Sequence, residues 1–200
     1  MKYYLLVSFL AMSLIACSDN TSEKIVKDEI TTEDIVMVAN VTSEMIIHHH
    51  MYDNMDRGSH EFYDKTLVID SKVNRLDISR GDVVFFDNKD GNKDISRVVA
   101  LPGEKIKITD GQIYINGSML DSFYGKAHRL GFNEETYFEN MDEGGIEYNK
   151  DSMKELFKAN MTEIKLSNDQ FFLISDDWFR GTRMVISEGE LIGTVLGYLN

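Results

Sequence analysis

The chain has 200 residues, of which 42% are hydrophobic, a length that suits one domain with a packed core better than two. Its 34 acidic residues outnumber the 21 basic ones, and the formal net charge is -13. We therefore expect no nucleic-acid partner, and charge alone would not hold such a surface on anionic lipid.

The first residues are typical of an export signal. Lys2 is followed by an apolar run that ends at Ala16, and this run is short for a helix that crosses a bilayer. Residues 14–17, Leu-Ile-Ala-Cys, resemble the cleavage box of bacterial lipoproteins. The resemblance implies a signal peptide over residues 1–16 and a lipid on Cys17, which would anchor the protein to the outer face of the cell membrane. An uncleaved signal anchor is the alternative.

Residues 17–33 are polar and charged and show no apolar periodicity, so we expect a flexible spacer there. The folded domain is predicted over residues 34–200. Because Cys17 is the only cysteine of the chain, this domain must be stable without an intramolecular disulfide.

Short runs rich in Val, Ile, Phe and Tyr, bounded by Gly, Asp or Asn, fill most of the domain and predict a mainly β fold. The predicted strands are DIVMVANV, TLVID, GDVVFF, ISRVVAL, EKIKI, GQIYING, TEIKL, QFFLIS and LIGTVLGYL. Between the fifth and sixth of these runs, Asp110 and Gly111 predict the tight type I′ turn of a hairpin.

Residues 124–160 interrupt the strand pattern with an acidic segment that contains Gly and Asn. We expect an irregular insertion there, with one short helix that begins at Asp151 or Ser152. These two residues are the candidate N-caps, and Met153 and Phe157 fall on one face of the predicted helix.

Four separated segments between residues 34 and 198 carry a family resemblance. The clearest is RVVALPGEKIKITDGQIYING, which starts at Arg97 and holds an Arg, a Pro-Gly-Glu and a Tyr-x-Asn-Gly at characteristic spacing. RGDVVFF precedes it, and DQFFLISDDWFRGTRMVISEGELIGTVLGYL follows near the end. These segments resemble type I signal peptidases, membrane-bound serine proteases with a Ser/Lys dyad. The resemblance implies a small β-barrel or coiled-sheet domain.

The fourth segment, DNMDRGSHEFYDKTLVID, is similar to the part of the family that holds the nucleophile, and it places Asn54 at that position. The lysine that precedes the arginine of the Pro-Gly segment is replaced by Ser96. A Ser/Lys dyad needs a neutral lysine amine to take the serine proton, and neither an asparagine amide nor a serine hydroxyl can supply this chemistry. The resemblance therefore implies a non-catalytic member.

Other residues of the terminal segment are expected to brace the site. The resemblance implies a charge pair between Asp176 and Arg183, a hydroxyl from Thr182, and a further brace from Arg97. Ser175 stands where the family pattern has its first glycine, and the linker before Arg183 is about two residues shorter than in that pattern.

An active peptidase with an atypical mechanism is the second hypothesis. The nucleophile segment has an alternative register that places His50 where Asn54 stands. Ser59 and Ser96 are candidate nucleophiles, and His60 and Lys65 are candidate bases, although none of them has the spacing of a known dyad.

A metal-binding lipoprotein is the third hypothesis, because His48, His49 and His50 lie near Asp53 and His60. Adjacent histidines on a strand point to opposite faces, and no signature spacing such as HExxH is present. His48, His50, Asp53 and His60 are thus weak candidates, and we expect no cofactor.

The residues and the resemblance together predict a membrane-anchored lipoprotein that binds an exported polypeptide or a membrane-associated partner protein without cleaving it. An edge strand near the dyad positions would bind an extended peptide by backbone pairing. The self-cleaving repressors share a related sheet, but the export signal and the Tyr-x-Asn-Gly strand disfavour that alternative.

Overall fold

The computed structural model describes residues 24–88 and 90–199. Its strands are β1 (Ile25–Lys27), β2 (Met45–His50), β3 (Lys65–Asp70), β4 (Val83–Asp87), β5 (Lys93–Ala100), β6 (Lys105–Thr109), β7 (Gln112–Ile115), β8 (Ser118–Asp121), β9 (Met161–Lys165), β10 (Gln170–Ile174), β11 (Arg183–Ser187) and β12 (Leu191–Leu199). The helices are α1 (Glu134–Glu143) and α2 (Lys150–Phe157), with 3-10 turns at Arg75–Asp77 and Glu188–Glu190. The predicted signal peptide and Cys17 lie outside the described residues.

The strands form a small sheet of order β1-β8-β7-β6-β9 and a large sheet of order β11-β10-β5-β4-β12-β3-β2. The mainly β prediction is therefore confirmed. The predicted barrel is wrong in one respect, because the end strands β11 and β2 do not pair with each other within the described part of the chain, and the large sheet stays open.

Both faces of the large sheet are buried at its middle strands, which explains their nearly continuous apolar sequences. Phe85 and Ile95 belong to the core on one face. Phe86 and Val98 belong to the core on the other face. Side chains therefore alternate along β4 and β5, and this alternation decides which residues of β5 reach each side of the site.

The hairpin of β6 and β7 is confirmed. Asp110 and Gly111 have φ angles of 46° and 74°, as both central residues of a type I′ turn require. Gly111 also lies so close to the Phe157 carbonyl that a side chain at this position would collide with it. The turn thus fixes the end of α2 against the small sheet, where Ile106 and Ile113 form part of the core.

The insertion holds two helices rather than the one predicted. The Asn133 side chain caps α1 by accepting from the Thr136 amide, and the Asn149 side chain caps α2 in the same way. The predicted cap of α2 was wrong by two residues or more. Both helices bury aromatic residues against the small sheet, among them Tyr137 and Phe157.

The predicted spacer ends earlier than expected, because residues 25–27 form β1. This strand pairs in parallel with β8, and Val26 packs against the core of the small sheet. Tyr124 then donates a hydrogen bond to Asp28. These contacts fix the chain to the domain from Lys24 onward, since the Lys24 carbonyl accepts from the Met119 amide at 2.8 Å.

Residues 34–41, which were predicted as a strand, make only one bridge, between Met37 and Tyr198. The Tyr198 amide donates to the Val36 carbonyl at 3.0 Å, and the Val38 amide donates to the Tyr198 carbonyl at 2.9 Å. The pairing stays short because β4 already occupies this side of β12 as far as Thr194.

None of the helices described is long and apolar enough to span a bilayer.

Candidate functional site

A buried ion pair lies at the centre of the site. Arg97 on β5 donates from Nε to Asp176 Oδ1 at 2.7 Å and from Nη2 to Asp176 Oδ2, and its Nη1 donates to the Gly81 carbonyl at 2.7 Å. The side chains are 4% and 1% exposed. Burial lowers the pKa of Arg97, but the Asp176 carboxylate outweighs this effect and holds the pKa above its ordinary value. The guanidinium stays charged and orients the segment after β10.

The expected pair of Asp176 with Arg183 is wrong. Arg183 begins β11 opposite Ile174, and its guanidinium lies 5.2 Å from the centre of the Trp178 ring. The turn after Asp176 is short, so Arg183 already belongs to β11 opposite Ile174. From that position its side chain does not extend back to Asp176. Thr182 is exposed, and its hydroxyl donates to Met184 Sδ at 3.7 Å.

Ser96 is fully buried on β5. Its Oγ lies 3.3 Å from the Oγ of Ser175, which in turn accepts from the Thr182 amide at 3.1 Å. Ser175 stands where the family pattern has a glycine, so its side chain faces the position where the family has a lysine. Two hydroxyls therefore satisfy each other here, and neither is a base near neutral pH.

Asn54 is also buried, and both ends of its amide are used. Its Oδ1 accepts from His50 Nε2 at 3.0 Å, while Nδ2 donates to the Ile95 carbonyl at 2.9 Å and to Asp94 Oδ1 at 3.3 Å. The Asp177 amide donates to the Asn54 carbonyl at 2.9 Å. Asn54 therefore lies beside the peptide bond that leads into Ser96, but within the described residues no hydrogen bond joins the two side chains.

These side chains also close the free edge of β5. The last residue of β5 that pairs with β10 is Arg97, so the backbone groups of Ile95 on that side have no strand partner. Asp94 Oδ1 accepts from the Ile95 amide at 2.8 Å, and Asn54 donates to the Ile95 carbonyl. An incoming peptide would have to displace both side chains to pair with this residue.

Several charged contacts of the site were not predicted from the sequence. Arg129 comes from the insertion and forms a buried ion pair with Asp177. Arg57 contacts His128 Nε2 and Glu33, and its guanidinium lies 4.5 Å from the centre of the Phe123 ring. The one sequence feature that could have indicated these contacts is the pair of acidic residues after Ser175, because each buried carboxylate requires its own cationic partner.

The candidate residues for an atypical mechanism do not come together. Ser59 is exposed and makes no hydrogen bond within residues 24–88 and 90–199. His60 Nδ1 lies 3.2 Å from Asp56, and the Lys65 ammonium lies 5.0 Å from the centre of the Tyr198 ring.

The metal candidates also separate. His48 packs on Phe85, His49 pairs with Asp64, His50 bonds to Asn54, Asp53 pairs with Arg180, and His60 pairs with Asp56. Across the described part of the chain, no three His, Cys, Asp or Glu side chains are placed to share a metal ion.

Burial shifts the pKa of several groups around the site. It lowers the pKa of His50 to about 4, and burial together with Arg57 lowers the pKa of His128 to about 4. Burial raises the pKa of the Asp94 and Asp177 carboxyls. Both histidines are therefore neutral in the folded protein at neutral pH.

The free energy of unfolding is expected to fall when the pH is lowered from 7 to 5. Each of His50 and His128 gains its proton first in the unfolded state, which binds it near pH 6.5, whereas the folded state resists protonation down to about pH 4. Each histidine contributes a loss on the order of 2 kcal/mol over this range.

Urea denaturation at the two pH values measures this effect. His128→Gln keeps a neutral partner for Arg57 and should reduce the pH dependence by about half of the histidine contribution. Asp94 and Asp177 act in the opposite direction in both proteins, so the difference between wild type and variant isolates His128. An unchanged pH dependence in the variant would contradict the assignment.

Comparisons with known proteins agree on one family. The family model described as signal peptidase, peptidase S26 matches residues 10–179. A probable signal peptidase I-2 of Synechocystis is 36% identical over 66 residues, which cover 29% of this chain and 30% of that protein. Signal peptidase I of Streptococcus pneumoniae is 27% identical over 135 residues, which cover 61% of this chain and 64% of that protein.

Among solved structures, a signal peptidase I from Enterococcus faecalis matches 58% of this chain and 95% of its own chain, with 17% identity and a TM-score of 0.40. The matches span less than two thirds of the length of the two curated relatives above. The family model, in contrast, covers most of the present chain. The chain therefore belongs to the signal peptidase, peptidase S26 family.

Proposed function

We propose that this chain is a non-catalytic, lipid-anchored member of its family that binds an extended segment of an exported or membrane-associated polypeptide. The non-catalytic part of this proposal rests on the hydrogen bonds that the side chains at both dyad positions already make within the protein. Ser96 is bound to Ser175, and Asn54 is bound to His50, Asp94 and the Ile95 carbonyl.

The chemistry of these contacts leaves no nucleophile with a base. Peptide hydrolysis by this family's mechanism requires a hydroxyl and a neutral amine within hydrogen-bond distance. His50 is the titratable base nearest to Asn54, and it donates to an amide oxygen that cannot attack a carbonyl. The proposed site therefore keeps the scaffold of the family but lacks the nucleophile and base that peptide hydrolysis requires.

A cleavage assay tests this proposal. The purified full-length protein, incubated with a preprotein that carries an Ala-x-Ala site, is expected to give no product beyond the buffer control. An active signal peptidase I serves as the positive control, and Asn54→Ala and Ser96→Ala should be indistinguishable from wild type. Product that disappears with Ser59→Ala or His60→Ala would overturn the non-catalytic proposal and establish an atypical peptidase.

The open edge of the large sheet supports peptide binding. Among the described residues, β2 pairs with β3 alone, and Asn54 lies four positions after His50, the last residue of β2. A row of unpaired backbone groups on an edge strand is a template for an added strand. An extended peptide paired with β2 would therefore run toward the former catalytic position without displacing Asn54.

Lipid attachment is the part of the proposal that concerns Cys17. Cells that express the wild-type chain are expected to incorporate labelled palmitate into it, and its mature amino terminus should be Cys17. Cys17→Ser should abolish the label because a hydroxyl does not take the thioether-linked lipid, whereas Ser18→Ala should retain it. A wild-type chain that takes up no label would instead indicate an uncleaved signal anchor.

A further inference from the structure

The insertion and the turn after β10 form a pocket. This insertion pocket has a volume of about 250 Å³. Its lining includes Tyr137, Tyr148, Ser152, Met153, Phe179 and Arg129. Its walls are mainly apolar, with three aromatic residues, and they come from both helices and from the turn after β10. Its volume suits one large side chain better than a complete small-molecule ligand.

The polar end of the insertion pocket is Arg129. One nitrogen of its guanidinium donates to Asp177, and the guanidinium carbon lies 4.9 Å from the centre of the Phe179 ring. Among the described residues, Asp177 is the one side-chain acceptor that Arg129 contacts. An arginine carries five N–H donors, and the part of the guanidinium that lines the pocket can donate to a ligand although the side chain is only 10% exposed.

The apolar walls complement this polar end. Phe179 is 54% exposed, an unusual state for a large aromatic side chain, and it stands at the rim of the pocket. Tyr137 and Met153 are buried at the inner wall. An aromatic side chain in the pocket would cover Phe179 and add ring contacts with the tyrosines.

The insertion pocket is connected through Asp177 to the loop that carries Asn54. Asp177 holds Arg129 with its carboxylate, and its amide donates to the Asn54 carbonyl. Arg180, next to Phe179 in the chain, pairs with Asp53. The rim of the pocket is therefore fixed to the loop that carries the former nucleophile position.

We propose that the insertion pocket receives one aromatic side chain, Phe or Trp, of an extended peptide, whose backbone carbonyl accepts a hydrogen bond from Arg129. This proposal rests on the proposed peptide binding and names the residue class that the bound polypeptide must carry. It predicts a preference that the small-residue positions of a signal peptidase cleavage site would not supply.

The test uses fluorescein-labelled polyalanine peptides of about ten residues, in which one phenylalanine is moved through the sequence. At one position, phenylalanine is expected to tighten binding to the full-length protein at least about tenfold over the all-alanine parent, as measured by fluorescence anisotropy. Ser152→Trp fills the pocket from an exposed helical position and should remove this preference. Glu155→Trp, exposed on the same helix and not among the lining residues, is the matched control and should retain it.

The outcomes separate the two proposals. If the all-alanine parent binds and the preference survives Ser152→Trp, the pocket proposal is wrong while peptide binding stands. If no peptide binds to the wild type, both proposals fail. Phe179→Ala provides a second variant at an exposed position, and it should weaken binding of the phenylalanine peptide without changing that of the parent.

Discussion

Asp176→Asn is expected to lower the free energy of unfolding by about 3–5 kcal/mol, because it leaves the buried guanidinium of Arg97 without its ion-pair partner. The pair is bidentate and almost entirely shielded from water. The remaining acceptor of Arg97, the Gly81 carbonyl, is uncharged and cannot compensate. Guanidinium denaturation monitored by circular dichroism measures the change.

Two further variants sharpen this measurement. Glu163→Gln breaks the exposed pair with Lys105 and should cost less than about 1 kcal/mol. The double change Arg97→Met with Asp176→Leu removes both charges and should be more stable than Asp176→Asn alone. A single variant as stable as wild type would show that the ion pair does not hold the site together.

Placing a serine at Asn54 and a lysine at Ser96, the two proposed dyad positions, is expected to give no activity unless Ser175 is also replaced. In Asn54→Ser with Ser96→Lys, the lysine must enter a fully buried position whose neighbour, the Ser175 hydroxyl, lies 3.3 Å from the present Ser96 Oγ. Overpacking costs about 1–3 kcal/mol, and a buried amine adds a desolvation cost. The double variant should be destabilised and inactive.

Adding Ser175→Gly to that double variant makes room for the lysine and returns the glycine of the family pattern. This triple variant should regain stability relative to the double variant and should be the one that cleaves a preprotein with an Ala-x-Ala site. Denaturation and cleavage assays on the same preparations give both readouts. Cleavage by the double variant would show that Ser175 does not obstruct the lysine.

The sequence predicted the parts of the fold that depend on local patterns. Runs such as TLVID and QFFLIS became β3 and β10 because β-branched and aromatic residues between turn signals favour strands wherever the partner lies. α1 was not predicted because its apolar residues are few, and its Asn133 cap lies in a segment that read as irregular. β2 was not predicted because half of it is histidine.

In the candidate site, too, the sequence predicted what a local motif specifies and did not predict what depends on tertiary packing. The motif around Arg97 gave its position and that of Ser96, but the partner of Asp176 depends on how β10 lies against β5, which no local pattern encodes. The contact between Ser96 and Ser175 joins residues that are far apart in the chain, so it depends on the tertiary structure and could not be predicted from a local pattern. Arg129 could not be assigned, because its insertion has no counterpart in the motifs.

The pairing of β1 with β8 would limit how far the domain can move from the bilayer if Cys17 carries the proposed lipid. The chain is fixed from Lys24, whose carbonyl accepts from the Met119 amide at 2.8 Å. Cys17 lies seven positions before Lys24, and even a fully extended chain of that length reaches only about 25 Å. With that proposed lipid, the small sheet would stay within a few nanometres of the bilayer, and the proposed polypeptide ligands would have to lie at the membrane surface.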